Sequence, residues 1–218
     1  ADAVAAARAA AAPAEPLRVG FVAGVVFDAV GAAVGAFAER HPEVAVRVRF
    51  GDLLDPTGGL GAGAADVAFV YGPFDAAGLA LHPLFAEPLG LAMAAGHPLA
   101  ARARLAPAEA VAAPTFDFPT PDARWRAFWS GAAFRGGRAP VVAAQYHTLE
   151  GLVAALRAGL GVHLATEGLV AAAGGGLAWR PVDGLTLEHA LATRAGDARP
   201  AVRAFVAEVA DAVRGGPP

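Results

Sequence analysis

The stretch that decides the fold is "LRVGFVAGVVFDAVGAAVGAFAERHPEVAVRVRF", residues 17–50. It opens with an apolar, strand-like run at 17–22, and apolar side chains then recur at helical spacing through 27–40. His41-Pro42 ends that helix, because the residue before a proline is disfavoured in the helical conformation. Residues 44–50, "VAVRVRF", alternate between apolar and polar, which is typical of a strand. The stretch therefore predicts a strand–helix–strand unit.

A second unit follows directly along the chain. Residues 66–72, "DVAFVYG", are almost wholly apolar, as in a strand buried inside a parallel sheet. We predict a weak helix in the glycine-rich segment before it, 55–66, because Leu53, Leu54 and Leu60 need a core. Strand–helix–strand–helix–strand order predicts a parallel sheet covered by helices, with right-handed crossovers.

The rest of the chain repeats this rhythm. The patterns predict two strands within 82–100 and further strands at 111–118, 139–147, 160–166 and 188–194. They predict helices at 122–134, 148–159 and 199–214. These pieces suffice for two small sheets.

Composition limits the class of protein. The chain has 218 residues, is 56% hydrophobic and 17% charged, and carries a formal net charge of −3, as soluble globular proteins do. It contains no uninterrupted run of about 18 strongly apolar residues, so no transmembrane helix is expected. The mild negative charge gives no electrostatic footprint for nucleic acid. The absence of cysteine excludes disulfides, thiol catalysis and cysteine-based zinc sites.

The start of the chain has two interpretations. Residues 1–12, "ADAVAAARAAAA", are nearly all helix formers, and Pro13 and Pro16 stop them. They are either the tail of a linker helix, or a disordered or tag-proximal end. No charged-then-apolar signal peptide opens the chain, although a mature secreted protein could still begin with "ADAV".

In order and spacing, these segments resemble the regulatory domain of LysR-type transcriptional regulators, from residue 17 to about residue 210. Residues 17–50 are similar to its opening strand, long helix ending in His-Pro, and alternating strand. "GAADVAFVYGP" (63–73) resembles the family's G-x-x-D-x-A strand. "LFAEPLGLAMAAGHPLA" (84–100) resembles its crossover, and "TLEGLVAALRAGLGVHLAT" (148–166) resembles its later helix and glycine-containing strand.

The resemblance implies an α/β fold in which two Rossmann-like subdomains are joined by two crossover strands, similar to type 2 periplasmic binding proteins. Residues 1–16 would end a linker helix, 17–88 with 165–218 would form subdomain I, and 89–164 would form subdomain II. The family's N-terminal winged helix-turn-helix is not in this sequence. We therefore expect a truncated effector-binding domain that reaches DNA only through that missing domain.

The resemblance also implies a function. A small-molecule effector would bind in the cleft between the subdomains of a cytoplasmic homodimer, or of a tetramer at full length, and would shift the subdomains relative to each other. No membrane partner and no cofactor is expected. A periplasmic solute-binding protein of the same architecture is the alternative, and an enzyme on a related fold is a third class.

Motifs for catalysis and metal binding are missing. The sequence has no G-x-S-x-G, no Gly-Lys-Ser/Thr loop and no H-E-x-x-H, and its one serine, Ser130, lies in a tryptophan-rich helix. His41, His82 and His97 lack metal-ligand spacing. We therefore predict no catalytic residue and no metal site.

The first predicted lip of the cleft is the turn before the first helix. By the resemblance, Ala23, Gly24, Val25 and Val26 would offer backbone N–H groups to an effector. Family members often carry Ser or Thr near Gly24, and here only backbone is on offer. Gly24 either lets a ligand approach the backbone closely or serves only the turn.

The opposite lip is "QYHTLEG". Tyr146 could stack on an effector or hydrogen-bond to it, and His147 could pair with an acidic ligand or simply be exposed. The hydroxyl of Thr148 could serve a ligand, but its place at a helix N-cap already explains it. Polar specificity should come from this lip and from His163.

Five other residues are placed near the cleft by the resemblance. His163 lies in an apolar strand that lines the cleft in the family, although a satisfied structural histidine is the common alternative there. Thr115 and Phe116 end a strand of subdomain II, and Tyr71 ends the third strand of subdomain I. Asp52 follows the second strand and would argue against a purely anionic pocket if it pointed inward.

The aromatic side chains of residues 122–134 could be mistaken for a cofactor or base-stacking box. They are Trp125, Phe128, Trp129 and Phe134. Their helical spacing favours a core or interface role. An effector with a sizeable apolar part, such as an aromatic or branched small acid, fits the predicted cleft best, but a cleft that has lost its ligand would have the same residues.

Overall fold

A computed structural model describes residues 15–22 and 28–215. This part contains eight strands: β1 Leu17–Phe21, β2 Val46–Phe50, β3 Val67–Gly72, β4 Leu79–Ala94, β5 Thr115–Asp117, β6 Val142–Gln145, β7 His163–Thr166 and β8 Leu177–Arg194. It contains six α-helices: α1 Asp28–Arg40, α2 Pro107–Ala110, α3 Ala123–Trp129, α4 Leu149–Arg157, α5 Glu167–Ala173 and α6 Pro200–Arg214. Two short 3-10 helices, Pro98–Ala101 and Ala132–Phe134, complete it.

Six strands form one mixed sheet in the order β2-β1-β3-β8-β4-β7, and β5 pairs with β6 in a second, two-stranded sheet. The pairing of β1 with β2 and with β3 is parallel, so that Val19 lies opposite both Val48 and Val67. A bridge between Thr115 and Val162 brings the second sheet beside the segment that leads into β7. The α/β class and the parallel first unit are as the sequence predicted.

Two long antiparallel strands connect the ends of the molecule. β4 has 16 residues and β8 has 18, and they pair along most of their length with irregularities between Pro83 and Phe85 and between Pro88 and Gly90. Where the sequence predicted two strands within 82–100, the structure has one. Prolines interrupt the apolar pattern there, and the irregularities in register accommodate them without ending the strand.

The last two strands, β7 and β8, pair with strands from different parts of the chain. β7, which lies within the strand predicted at 160–166, pairs with the second half of β4 from Leu89 to Ala92. The first part of β8, up to Pro181, also pairs with that half, whereas its last part, Glu188 to Thr193, pairs with β3. β8 therefore pairs with strands of both parts of the sheet, first with the second half of β4 and then with β3.

The glycine-rich segment 55–66 forms turns and not the weak helix predicted from its leucines. Gly58, Gly59 and Gly63 have φ of 61°, 93° and 67°, which a right-handed helix cannot contain. A Cβ on Gly20 would lie 2.0 Å from the Gly58 carbonyl oxygen, so this turn packs directly on the backbone of β1. Close approach of two backbones, and not helix formation, is what the glycines provide.

Helices α1 and α6 pack together over one face of the main sheet. Phe37 of α1 and Phe205 of α6 meet edge to face with ring centroids 4.9 Å apart, and Phe205 also contacts Phe69 of β3. Trp125 and Trp129 of α3 are buried, as the spacing predicted. Helix α3 ends at Trp129, earlier than predicted, and Gly131 follows with a φ of 67°.

Candidate functional site

A ring-lined cavity, whose described wall combines seven side-chain rings with six leucines, lies where the two ends of the molecule meet. Its volume is about 40 Å³, room for about one water molecule. One end contributes Leu53, Tyr71, Leu187 and His189. The other end contributes Phe118, Trp125, Trp129, Tyr146, Leu149, Leu152, Leu169 and the β7 residues from His163 to Thr166.

Helix α3 positions the two indole rings of the wall. Asp122 caps the helix by accepting a hydrogen bond from the Trp125 backbone N–H at 2.8 Å. One turn apart, Trp125 and Trp129 then lie on the same face, with ring centroids 5.4 Å apart. Trp125 also packs on Tyr71 at 5.0 Å, so the rings of α3 reach across to β3.

The polar part of the wall is a tyrosine–histidine pair. The Tyr146 hydroxyl lies 3.0 Å from His163 Nε2, and the His163 ring stacks on Trp129 with 18° between the planes. The Tyr146 backbone N–H donates to the Asp117 carbonyl, which fixes the residue at the end of β6. Burial lowers the pKa of His163 to about 4 and raises the pKa of the Tyr146 hydroxyl, so both groups are neutral near pH 7.

Two polar atoms of this wall lack a hydrogen-bond partner among the described residues. They are Trp125 Nε1 and His163 Nδ1, and both are buried. Buried polar side-chain atoms in folded proteins nearly always have a partner, so an unpaired one calls for an explanation. Larger depressions of about 800 and 430 Å³ occur elsewhere on the described surface, but these two atoms single out the ring-lined cavity.

Formal charges surround the cavity without lining its described wall. His189 Nε2 lies 2.7 Å from Glu87 Oε1. Behind Tyr146, Arg126 donates to the Asp117 carboxylate at 2.7 Å, and this hydrogen bond lowers the pKa of Asp117. No lysine, arginine, aspartate or glutamate is among the described residues that line the cavity.

Three of the residues predicted for the site lie together in this wall: Tyr71, Tyr146 and His163. The predicted lip residues Ala23, Gly24, Val25 and Val26 fall outside the described residues.

The other five predicted residues do not line the cavity. Asp52 is exposed and accepts from the Leu54 backbone N–H, and His147 is exposed. Thr148 caps α4 by accepting from Gly151 N–H at 3.1 Å, the structural role that the sequence offered as its alternative. The Thr115 hydroxyl donates to the Val162 carbonyl, and Phe116 is buried in the core.

Among the described wall residues that carry a ring, sequence reasoning missed four: Phe118, Trp125, Trp129 and His189. The spacing of the tryptophans identified them correctly as buried, but spacing along a helix does not distinguish a ring in solid core from a ring beside a cavity. Phe118 comes just after the predicted Phe116, and nothing in the sequence marks His189.

The described part of the chain contains neither a candidate metal site nor a candidate membrane-spanning helix. No group of three or more metal-ligating side chains occurs among residues 15–22 and 28–215. Within those same ranges, no helix is both long enough and apolar enough to span a bilayer.

Comparison with known proteins identifies the class. Residues 10–214 match the family described as the LysR substrate binding domain. The chain therefore belongs to this family, as its resemblance predicted, which favours a regulator over a periplasmic solute-binding protein. A sequence comparison with curated proteins gives no match.

Solved structures share the fold. The effector-binding domain of QuiR in complex with shikimate is 15% identical, with a TM-score of 0.75 over 92% of this chain and 98% of that one. The BenM effector-binding domain with benzoate is 16% identical, with a TM-score of 0.71 over 92% and 90%. The regulatory domain of MetR from N. meningitidis is 22% identical, with a TM-score of 0.64 over 92% of each chain.

Proposed function

We propose that this chain is the effector-binding domain of a cytoplasmic LysR-type regulator, that it is not an enzyme, and that it binds a small molecule in the ring-lined cavity. The observation that carries the proposal is the pair of unpartnered buried atoms, Trp125 Nε1 and His163 Nδ1, among the side chains of one cavity. Bound effectors in the QuiR and BenM structures support it.

Ligand entry requires opening. A cavity of about 40 Å³ is too small for a metabolite, since ligand sites usually measure roughly 300–1,000 Å³. We propose that the two subdomains separate along β4 and β8, the strands that connect them. A ligand that binds only the opened form shifts the population toward it, and a DNA-binding domain attached to the chain would be moved in turn.

The ligand expected from the sequence is an aromatic or branched small acid. The wall of rings supports the aromatic part of that expectation. The acidic part has no cationic partner among the described lining residues. The remaining predicted contacts stay predictions for the opened form: Ala23, Gly24, Val25, Val26, Asp52, Thr115, Phe116, His147 and Thr148.

Ligand binding is tested by thermal unfolding with a panel of small aromatic and branched metabolites. At about 100 times its Kd, a true ligand should stabilise the domain by about 2.7 kcal/mol. Replacing Trp129 by phenylalanine disturbs the stack on His163 and should weaken binding about tenfold. The control Phe134→Leu, at an exposed ring, should bind as the parent does. A panel without any stabilising compound would contradict the proposal.

We also propose that two copies associate through the exposed edges of their sheets. Phe50 of β2 is 75% exposed and Val48 is 51% exposed, at one edge of the main sheet. Val141 and Val142, at and beside β6, are 61% and 45% exposed. Exposed apolar edge strands are usually covered by another chain or guarded by charges. The homodimer implied by the family resemblance would cover them, and a tetramer of the full-length regulator stays a prediction.

The dimer is tested by replacing Phe50 with aspartate. The variant should sediment as a monomer at concentrations where the parent is a dimer, because a buried, unpaired carboxylate opposes association. Leu160→Asp introduces the same charge at a residue that is 54% exposed and belongs to neither strand, and it should leave the dimer intact. If Phe50→Asp and the parent sediment alike, β2 does not form the interface.

A further inference from the structure

Two buried, unpartnered polar atoms belong to residues that line the cavity, and in the opened form they would be the hydrogen-bonding groups offered to a ligand. An indole N–H can donate but cannot accept, so Trp125 Nε1 presents one donor. His163 Nδ1 presents either a donor or an acceptor, depending on which ring nitrogen carries the proton. The chemistry of the cavity therefore depends on the tautomer of His163.

The Tyr146 hydroxyl determines that tautomer. It lies 3.0 Å from His163 Nε2, the one hydrogen-bond partner found for it among the described residues. If Tyr146 donates to Nε2, the proton of the ring is on Nδ1, and one N–H is left unpaired. If Nε2–H donates instead, both the tyrosine proton and the Nδ1 lone pair are left unpaired. The first arrangement leaves fewer buried groups unsatisfied and is favoured, so Nδ1 is the second donor.

The charges around the cavity disfavour an anion. No cationic side chain belongs to the described wall, and burial keeps His163 neutral near pH 7. The other histidine of the wall is His189, and its Nε2 lies 2.7 Å from the Glu87 carboxylate. Arg126, behind the wall, is held by Asp117. A carboxylate ligand would leave water without gaining an opposite charge.

The rings give the shape of the ligand. The Trp129 and His163 rings are within 18° of parallel, and the Tyr71 ring stands at 88° to Trp129. Flat faces and ring edges of this kind suit a planar aromatic group, which gains both stacked and edge contacts.

We infer that the cavity recognises an uncharged aromatic compound bearing a carbonyl-type acceptor, which receives hydrogen bonds from Trp125 Nε1–H and His163 Nδ1–H. This inference rests on the proposed function and differs from the sequence-based expectation of an acid. The two donors, and the absence of a cationic side chain from the described lining residues, together distinguish an aryl ketone from an aryl acid and from an aryl hydrocarbon.

Three probes of matched shape test the inference by calorimetry near pH 7: acetophenone, benzoate and α-methylstyrene. They share one ring and differ only in carrying a carbonyl, a carboxylate or a carbon–carbon double bond. Acetophenone should bind about tenfold more tightly than α-methylstyrene, because it alone of the two accepts hydrogen bonds. It should also bind more tightly than benzoate. Equal binding of acetophenone and α-methylstyrene, or tighter binding of benzoate, overturns the inference.

Two variants distinguish the loss of one hydrogen bond to the ligand from a general disturbance of the cavity. Trp125→Phe removes the N–H and keeps a ring, so the preference for acetophenone over α-methylstyrene should fall several-fold. A purely structural effect would weaken both probes together and leave their ratio unchanged. Trp179→Phe is the matched control, because the Trp179 N–H donates to the Ala165 carbonyl at 2.8 Å, and it should keep the ratio of the parent.

The outcome also distinguishes this inference from the proposed function. If the three probes fail while a charged or non-carbonyl compound of the wider panel binds, and Trp129→Phe weakens that binding, the cavity binds ligands and the inference is wrong. If neither the three probes nor any compound of the panel binds, both the inference and the proposed function are wrong.

Discussion

Replacing Asp66 with alanine is expected to lower the free energy of unfolding by about 3 kcal/mol. The carboxylate is 1% exposed and accepts from three arginines, with Oδ1 at 2.8 Å from Arg18, 3.0 Å from Arg194 and 2.8 Å from Arg199. It also accepts from the Arg18 backbone N–H at 3.0 Å. Burial by itself would raise the pKa of Asp66, but the hydrogen bonds from Arg18 and Arg199 outweigh it and hold the pKa far below its usual range.

This loss has a clear physical origin. Without the carboxylate, three guanidinium groups lie close together and the Arg18 N–H of β1 loses its partner. Because each arginine is more than a third exposed, water replaces part of the interaction, and the expected loss is at the low end of that for breaking a buried pair. Asp66 therefore joins β1, the start of β3 and the turn after β8.

Urea unfolding measures the effect. Asp211→Ala is the matched control, because its carboxylate is 77% exposed and, among the described residues, forms an ion pair only with Arg214. That change should cost less than about 0.5 kcal/mol. A loss below about 1 kcal/mol for Asp66→Ala would show that the three arginines are equally well solvated without it.

The second large effect is a dependence of stability on pH that comes from His163. Its pKa is about 4 in the folded chain because of burial, against 6.5 when unfolded. Between these values the unfolded state binds the proton that the folded state refuses, so the free energy of unfolding falls as the pH falls. From pH 7 to pH 4 this group should remove about 3 kcal/mol of stability.

The measurement compares His163→Gln with the parent by urea unfolding at several pH values from about pH 7 down to pH 4. The variant lacks the titrating group, so its stability relative to the parent should rise as the pH falls. Tyr146→Phe serves as control: it keeps the buried imidazole and should keep the pH dependence, since burial and not the tyrosine contact is the cause. A constant difference between parent and His163→Gln across this range would show that water reaches the imidazole in the folded state.

The candidate site was predictable only in part. Tyr71, Tyr146 and His163 were found because they lie at strand ends or in a strand that the family resemblance places beside the cleft. Thr148 and Thr115 have hydroxyls that could serve a ligand equally well, but the structure uses them to cap α4 and to bind the Val162 carbonyl. The choice between a ligand and a local partner depends on which atoms tertiary packing brings within reach.

By itself, the sequence determined the α/β class, the parallel arrangement of β1, β2 and β3, the amphipathic α6 and the membership of the LysR family. The class, the parallel arrangement and the amphipathic helix depend on periodicity and on segment order, which are local properties of the chain. The family membership depends on the resemblance of several segments to those of known regulators. Only the tertiary structure decided that β4 and β8 are single long strands, that the glycines of 55–66 form a turn against β1, and that Trp125 meets the Tyr146–His163 pair at one cavity. Each of these results from contacts between residues far apart in sequence, and no local pattern specifies such contacts.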